Sequence, residues 1–172
     1  MGVLGVLALA APASQAGTVN IPSNLECNYD DRQTVPYLCE PEQLVVGIDG
    51  TDAVWRYWAQ LGFDVAGNLP SGATVTSAKL YLYGLSDPGF SASLIVGDPY
   101  APEDEVEFSS APGWVDFDVT ASAQAAAGTA SDAVLDVWPA LDTPLLPLSW
   151  EFVGSASSST SLRPYLQVDY TL

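Results

Sequence analysis

Histidine is absent from the 172-residue chain, which removes the usual general base of hydrolytic active sites. A Ser-His-Asp or Cys-His arrangement needs that imidazole to accept the proton of its nucleophile. The sequence also contains neither a nucleophile-elbow motif nor a phosphate-binding glycine loop. We therefore expect the protein not to be an enzyme, and a glycosidase-type pair of carboxylates is the one catalytic arrangement left open.

Basic residues are almost as scarce, because 4 Lys and Arg residues stand against 21 Asp and Glu residues, for a formal net charge of −17. A nucleic-acid partner requires several clustered cations to release its counterions, so this class of partner is excluded. Anionic membrane surfaces are disfavoured for the same reason. Two explanations of the acidity stay open, solubility in a salty or extracellular medium and Ca²⁺ binding by carboxylates.

Cysteine occurs twice, as Cys27 and Cys39. Two cysteines without a histidine make a poor zinc site, and a nucleophilic cysteine would lack its base. In an exported protein, an even pair at this spacing most simply forms a disulfide that closes a short loop. We predict this disulfide and no cofactor, with Ca²⁺ as the one ion left open.

A long apolar stretch, MGVLGVLALAAPASQA, occupies residues 1–16. Small residues follow its apolar part, and Ser14-Gln15-Ala16 resembles a signal-peptidase site. The stretch is too short and too rich in alanine for a stable membrane span. The sequence thus predicts an export signal at 1–16, a single domain at 17–172, and an extracellular or cell-surface location.

Apolar and polar residues alternate in short stretches through the remainder of the chain, as expected for half-buried strands. The two clearest stretches run over 55–65 and 78–83, with turn-forming residues between them. They predict a β-hairpin whose outer face carries Trp58, Tyr81 and Tyr83. The side chains assigned to the core include Trp55, Tyr57, Leu61, Leu80, Trp150 and Phe152.

Further alternating stretches bring the expected number of strands to about eight to ten, which is typical of a sandwich. One helix is predicted over 121–127, with Thr120 as its N-cap and Gly128 at the C′ position. The sequence therefore predicts an all-β fold, a jelly-roll-like antiparallel β-sandwich with one short helix. The remaining strands are expected near 44–48, 90–96, 115–119, 135–137, 146–152 and 166–172.

Four segments stand out by their residues, order and spacing, namely LGFDV at 61–65, LPSGATVTSAKLYLY at 69–83, GWVDFDVTASAQAAAG at 113–128 and SLRPYLQVDYTL at 161–172. Together they resemble the DNRLRE domain family, and the resemblance covers 17–172. It implies a jelly-roll β-sandwich without catalytic residues on exported and cell-surface proteins. In the family's characterised carbohydrate-binding modules the ligand is an acidic polysaccharide, which a chain of net charge −17 would repel. A neutral glycan is the ligand that remains.

Several acidic clusters near turns offer hard oxygen ligands for Ca²⁺, although none has the spacing of an EF-hand. Solvated surface carboxylates are the alternative interpretation. Asp116 and Asp118 alternate with core residues, so we expect them to face outward or to cap the helix. The Ca²⁺ candidates are Asp30, Asp31, Asp49, Asp52, Asp98 and Asp104, with Glu103 and Glu105 beside Asp104.

Two functions from different classes fit these features. In the leading hypothesis, the protein is a non-catalytic extracellular structural subunit that assembles with itself into a cell-surface fibre, filament or matrix. Its N-terminal segment would add a β-strand to a neighbouring copy. In the alternative, it is a free-standing carbohydrate-binding module for a neutral glycan. Trp58, Tyr81 and Tyr83 would form the glycan surface in one case and the interface between copies in the other.

Overall fold

A computed structural model of the protein describes residues 15–32, 35–49, 55–85, 92–108, 111–140 and 148–172. Within these ranges all paired strands are antiparallel, and only one helix is longer than a single turn. The all-β class and the sandwich-like arrangement predicted from the sequence are confirmed.

The described residues form twelve strands and two α-helices. Helix α1 spans Val65–Asn68, helix α2 spans Thr120–Thr129, and a 3-10 turn covers Thr160–Leu162. The strands are β1 (Ala16–Pro22), β2 (Leu25–Asp30), β3 (Leu38–Cys39), β4 (Gln43–Asp49), β5 (Trp55–Phe63), β6 (Thr74–Gly84), β7 (Ala92–Asp98), β8 (Ala101–Phe108), β9 (Gly113–Asp118), β10 (Ala133–Pro139), β11 (Leu148–Val153) and β12 (Tyr165–Thr171).

The strands form one continuous sheet that folds into two halves. In the first half, β6 lies between β12 and β9, and β1 pairs with the other edge of β12. In the second half, β5 lies between β2 and β10, and β7 and β8 follow β10, while the short β3 pairs with β2. Strands β4 and β11 pair with each other and join the two halves, because β4 also meets β5 and β11 also meets β6.

The inner faces of both halves share one hydrophobic core. In β6, for example, Leu80 and Leu82 point inward and are fully buried. Lys79, which lies between the buried Ala78 and Leu80, points outward. The same alternation in β5 buries Leu61. The two halves therefore enclose the core between them, and their outer faces lie on opposite sides of it.

The structure buries only some of the aromatic residues that the sequence assigns to the core. Trp150 and Phe152 of β11 are fully buried, as predicted. Tyr57 is only partly buried, because its hydroxyl group reaches the rim and accepts a hydrogen bond from Arg32 at 3.1 Å. The side chain of Trp55 lies outside the described residues.

The predicted hairpin of β5 and β6 is wrong. Strand β5 pairs with β2, β4 and β10, whereas β6 pairs with β9, β11 and β12. The connection contains α1, which the Asp64 side chain caps by accepting a hydrogen bond from the Gly67 N–H at 2.7 Å. Val65 of this helix is buried, so the segment packs on the core. It is a crossover between the two halves rather than a tight turn.

Helix α2 is longer at both ends than predicted. Thr120 is its first residue rather than the N-cap, and its hydroxyl group donates to Asp118 at 2.7 Å. Asp118 therefore supports the first turn, one of the two roles expected of it. The left-handed residue at the other end is Ala130, with φ of 52°, and not Gly128, which is helical.

Candidate binding and assembly surfaces

Polar side chains point inward from β2, at positions where the alternation of the other strands places apolar ones. Glu26, Asn28 and Asp30 are each at most 2% exposed. Glu26 and Asn28 pair directly with Leu61 and Ala59 of β5, so they share the core-facing side of the sheet. A buried polar group costs free energy unless it is hydrogen-bonded, so each of the three needs a partner.

The Asn28 side chain forms two hydrogen bonds with the backbone of β4 that a neighbouring strand would otherwise form. Its amide nitrogen donates to the Gln43 carbonyl oxygen at 3.0 Å, and its amide oxygen accepts from the Val45 N–H at 2.9 Å. None of the described strands pairs with this segment of β4 on that side, because the β4–β5 ladder begins at Gly47. The Asn28 side chain thus satisfies backbone groups that would otherwise be buried without partners.

Two carboxylates of β2 have opposite pKa shifts. Glu26 accepts from the Ser155 N–H at 2.6 Å and from the Ser23 hydroxyl group, yet its burial raises its pKa. Asp30 forms a salt bridge with Arg32 and accepts from the Arg32 backbone N–H at 2.8 Å. The hydrogen bonds from Arg32 lower the pKa of Asp30. The hydrogen bonds of Glu26 and the ion pair of Asp30 thus help to hold β2 in place.

The predicted disulfide is confirmed, since Cys27 of β2 is bonded to Cys39 of β3. The segment around β3 covers the outer edge of β2, and two of its N–H groups donate to β2 carbonyl oxygens at 3.0 and 2.7 Å. An uncovered edge would offer those groups to another chain. The disulfide therefore fastens a short covering strand over the β2 edge.

The Ca²⁺ candidates do not come together in the part of the chain that the structure describes. Asp98 accepts the N–H of the residue two positions on, and Asp104 accepts the N–H of Asp118, both at 2.8 Å. Among the described residues, no three Asp, Glu or Cys side chains lie close enough together to hold a metal. Asp30 is paired as described above, Asp31 is exposed, and the side chain of Asp49 and all of Asp52 lie outside the described residues.

The outer face of the second half carries a stack of three aromatic rings, and we call it the stacked face. Trp58 stacks on Tyr29 with ring centroids 5.1 Å apart and on Trp138 with centroids 4.1 Å apart. The interplanar angles are 11° and 14°. The rings come from β2, β5 and β10, which are neighbours in the sheet. Both faces of the Trp58 indole are covered, so Trp58 has no flat face left for a sugar ring.

A polar row runs beside the stack on the same face. The Tyr29 hydroxyl group donates to Gln60 at 3.1 Å, and the Gln60 amide nitrogen donates to Asp136 at 2.9 Å. Burial raises the pKa of Asp136, and the bond from Gln60 opposes this shift less strongly. These three polar side chains therefore satisfy one another's hydrogen bonds within the stacked face.

The outer face of the first half carries a second aromatic cluster, and we call it the open face. Tyr81 stacks on Tyr165 with ring centroids 4.8 Å apart. Trp114 lies edge-on to Tyr83 and Tyr165, at centroid distances of 5.4 and 5.5 Å. Trp114 is 43% exposed, so much of its indole remains in contact with solvent.

Ionic and hydroxyl groups continue the open face. Lys79 and Asp116 form an ion pair at 2.6 Å, with side chains 50% and 43% exposed. Asp169 accepts from the hydroxyl groups of Thr18 and Ser77, at 2.6 and 2.8 Å. These two bonds lower the pKa of Asp169, which remains close to solvent. These charged and hydroxyl groups lie on the same face as the exposed indole of Trp114.

The structure separates the three aromatic residues predicted to share one surface. Trp58 lies on the stacked face, whereas Tyr81 and Tyr83 lie on the open face, across the core from it. The separation follows from the crossover that replaces the predicted hairpin. Trp114 and Tyr165 join the tyrosines instead, although the sequence alone did not single them out. The available signal was the outward position of Trp114 in the alternating pattern of β9.

The two ends of the sheet differ in charge. Among the described strands β1 pairs only with β12, and its sequence, AGTVNIP, has no charged residue. At the other end β8 pairs only with β7, and its sequence, APEDEVEF, carries four carboxylates. Like charges on an edge strand repel a second copy, and proteins use this device against unwanted pairing. Strand β1 lacks that protection.

No helix in the described ranges has the length and hydropathy needed to cross a membrane. A scan of the chain against protein-family models gives no match, and a search of curated proteins gives none either. The resemblance to the DNRLRE family therefore stays a prediction.

Proposed function

We propose that the protein is a non-catalytic extracellular structural subunit that assembles with copies of itself, through the open edge of β1, into a fibre or matrix. The observation that carries this proposal is an uncharged edge strand in a chain of net charge −17. Two copies repel each other over most of their surfaces, so contact costs least where charge is absent. The disulfide supports the extracellular location, because such bonds persist in oxidising compartments.

Strand β1 is firmly held in its own sheet. It pairs with β12 over its whole length without a register shift in β1. Gly17 lets the Tyr170 ring lie against the strand, because a Cβ atom at Gly17 would be 2.6 Å from that ring. Strand β1 therefore acts as a receptor edge to which another strand adds, rather than as a strand that leaves for a neighbour.

Alternate residues of β1 have backbone groups that pair with no other strand among the described residues, and such a strand could bind them. The Leu172 N–H donates to the Gln15 carbonyl oxygen at 2.9 Å, so the odd-numbered residues of this segment direct their backbone groups to β12. The even-numbered residues direct theirs away from β12, and proline offers only a carbonyl oxygen. These outward residues are Ala16, Thr18, Asn20 and Pro22.

The proposal is tested by light scattering after size exclusion, over a range of protein and salt concentrations. Association should strengthen with salt, because salt screens the repulsion between acidic copies. Asn20→Pro removes an outward N–H without touching the β12 ladder, and we expect about tenfold weaker association or more. A protein that stays monomeric under every condition would overturn the proposal.

A charge variant provides a milder test with a matched control. Asn20→Asp adds a negative charge to the β1 edge and keeps the oxygen that accepts from Gln167 at 3.2 Å. Ser158→Asp adds the same charge at an exposed residue outside β1. Only Asn20→Asp should weaken association, and equal effects of the two variants would point to net charge rather than to the edge.

A second candidate function, binding of a neutral glycan, is supported by the exposure of Trp114 on the open face. An indole that is 43% exposed beside two stacked tyrosines offers apolar surface to a sugar ring, and Lys79 and Asp116 offer hydrogen bonds to hydroxyl groups. Affinity electrophoresis in gels containing neutral polysaccharides tests this function. Trp114→Ala should abolish any retardation, whereas Tyr100→Ala, at an aromatic residue 82% exposed outside the cluster, should not.

A further inference from the structure

We infer that two copies meet β1 against β1, antiparallel, about a twofold axis that passes beside Val19. The inference rests on the proposed assembly through the β1 edge and names the partner strand and its register. A twofold contact closes into a dimer, so the dimer would be the first unit of the assembly, and growth into a fibre or matrix would need a second contact elsewhere on the molecule. An antiparallel pair about a twofold axis presents the same edge from both copies, so no second complementary edge is needed. The paired sheets would form one sheet in the order β9, β6, β12, β1, then β1, β12, β6, β9 of the second copy.

This axis satisfies the outward backbone groups of β1. Thr18 then lies opposite Asn20 of the second copy, and each pair exchanges two hydrogen bonds because both residues direct their groups outward. Ala16, where it is retained, lies opposite Pro22, which accepts the Ala16 N–H and has no N–H of its own that would need an acceptor. Where Ala16 is retained, an axis beside Asn20 would leave it without a partner. An axis beside Thr18 would leave Pro22 without a residue opposite it.

The side chains are compatible with the same register. Val19 lies on the core-facing side of β1 and packs against the core, and the axis places it opposite Val19 of the second copy. This is a pair without backbone hydrogen bonds, in which side chains lie closest, with Cβ atoms about 4.5–5.5 Å apart. Two partly buried valines would thereby lose further contact with water.

Charge does not oppose this arrangement. The nearest carboxylate in the sheet is Asp169, which faces Thr18 from β12. Two such carboxylates would lie three strand spacings apart, about 14 Å. This exceeds the Debye length of about 8 Å at physiological ionic strength, so their repulsion is largely screened. Hydrogen bonds from Thr18 and Ser77 also occupy the Asp169 oxygens.

Hydrogen exchange of the wild-type protein tests whether the β1 edge is the contact, without any substitution. In the monomer the N–H groups of Gly17, Val19 and Ile21 are protected by β12, whereas no described residue accepts a hydrogen bond from those of Thr18 and Asn20. At concentrations where the protein associates, exchange at Thr18 and Asn20 should slow at least tenfold and approach that of their neighbours. Association without this change would overturn both the inference and the proposed assembly through the β1 edge. Slowed exchange without cross-linking of Val19→Cys would overturn the inference alone.

Cysteine cross-linking tests the position of the axis. Val19→Cys should give a covalent dimer under mild oxidation, because a pair without backbone hydrogen bonds brings the two sulfur atoms within bonding range. Ser158→Cys is the control at an exposed residue outside β1, and intact mass checks that the native disulfide is retained. Cross-linking of Val19→Cys at the rate of the control would overturn the inference. A wild-type protein that never associates would overturn both it and the proposed function.

Discussion

The two outer faces of the molecule contain similar residues in different arrangements. On the stacked face, Trp58 is held between Tyr29 and Trp138, and both sides of its indole are covered. On the open face, Trp114 meets its tyrosine neighbours edge-on and keeps 43% of its surface exposed. The faces therefore differ in the exposure of their tryptophans, because neighbouring rings cover both sides of the Trp58 indole and leave much of the Trp114 indole in contact with solvent.

The acidic residues of the two faces differ in the same way. Burial dominates at Asp136 of the stacked face and raises its pKa, whereas hydroxyl donors dominate at Asp169 of the open face and lower its pKa. Ionisation of Asp136 therefore destabilises the folded state, whereas ionisation of Asp169 stabilises it. The stacked face thus tolerates a polar group inside a packed surface, while the open face keeps its charge near water.

The largest expected effect is on the stacked side, where the disulfide is located. Replacing Cys27 and Cys39 together by serine should lower the free energy of unfolding by about 3 kcal/mol, because the unfolded chain regains the entropy of a closed loop. Urea denaturation measures this loss. Reduction of the wild-type protein is the control, and it should give a similar value.

The same variant should also expose the β2 edge that β3 covers. We therefore expect association that Asn20→Pro no longer suppresses, since a second open edge becomes available. Unfolding free energies that agree within about 0.5 kcal/mol with and without the disulfide would contradict the stabilising role assigned to it.

The next largest effect is a difference in stability between variants of Trp58 and Trp114. Trp58→Ala should cost about 2 kcal/mol of stability, because it removes the middle ring of a stack on a half-buried face. Trp114→Ala should cost less than about 1 kcal/mol, since that ring is largely solvated. Thermal and urea denaturation of the two variants measure the difference. Equal losses would break the distinction between the two faces.

Alternation alone was enough to predict the fold class and most strands, because the core-facing residues of β5, β6, β9, β11 and β12 follow the period of two. It did not identify β2, whose inward residues Glu26, Asn28 and Asp30 reverse the expected polarity. Their burial depends on partners from distant segments, such as Ser155 for Glu26. Strand β8 was missed because its four acidic residues resemble a metal-binding loop more than a strand.

Strand pairing was harder to predict than strand positions. The alternation of β5 and β6 gives their inner faces, but the same pattern fits a hairpin and a crossover equally well. A capped turn of helix at Asp64 decides between them, and it is only four residues long. The candidate surface depended on that pairing, so Trp58 was grouped with Tyr81 and Tyr83 although they lie across the core from it. The disulfide, which needs only two cysteines, was predicted correctly.

The smallest expected effect compares the carboxylates of the two faces as a function of pH. The folded-state pKa of Asp136 lies above the ordinary value of 3.8, so its contribution to stability is complete below that value and is lost as the pH rises through the folded-state pKa. The folded-state pKa of Asp169 lies below 3.8, so its contribution is present above that value and is lost as the pH falls through the folded-state pKa.

Asparagine substitutions should therefore act with opposite signs. Asp136→Asn keeps an oxygen for the Gln60 amide and should raise stability at pH 7 by less than about 1 kcal/mol, because solvent partly screens this half-buried carboxylate. Asp169→Asn should lower stability slightly at pH 7, because its two hydroxyl donors lose a charged acceptor near solvent. Thermal denaturation between pH 3 and pH 8 measures both, and both differences should shrink toward the acidic end. Shifts of the same sign at pH 7 would mean that burial does not distinguish the two faces.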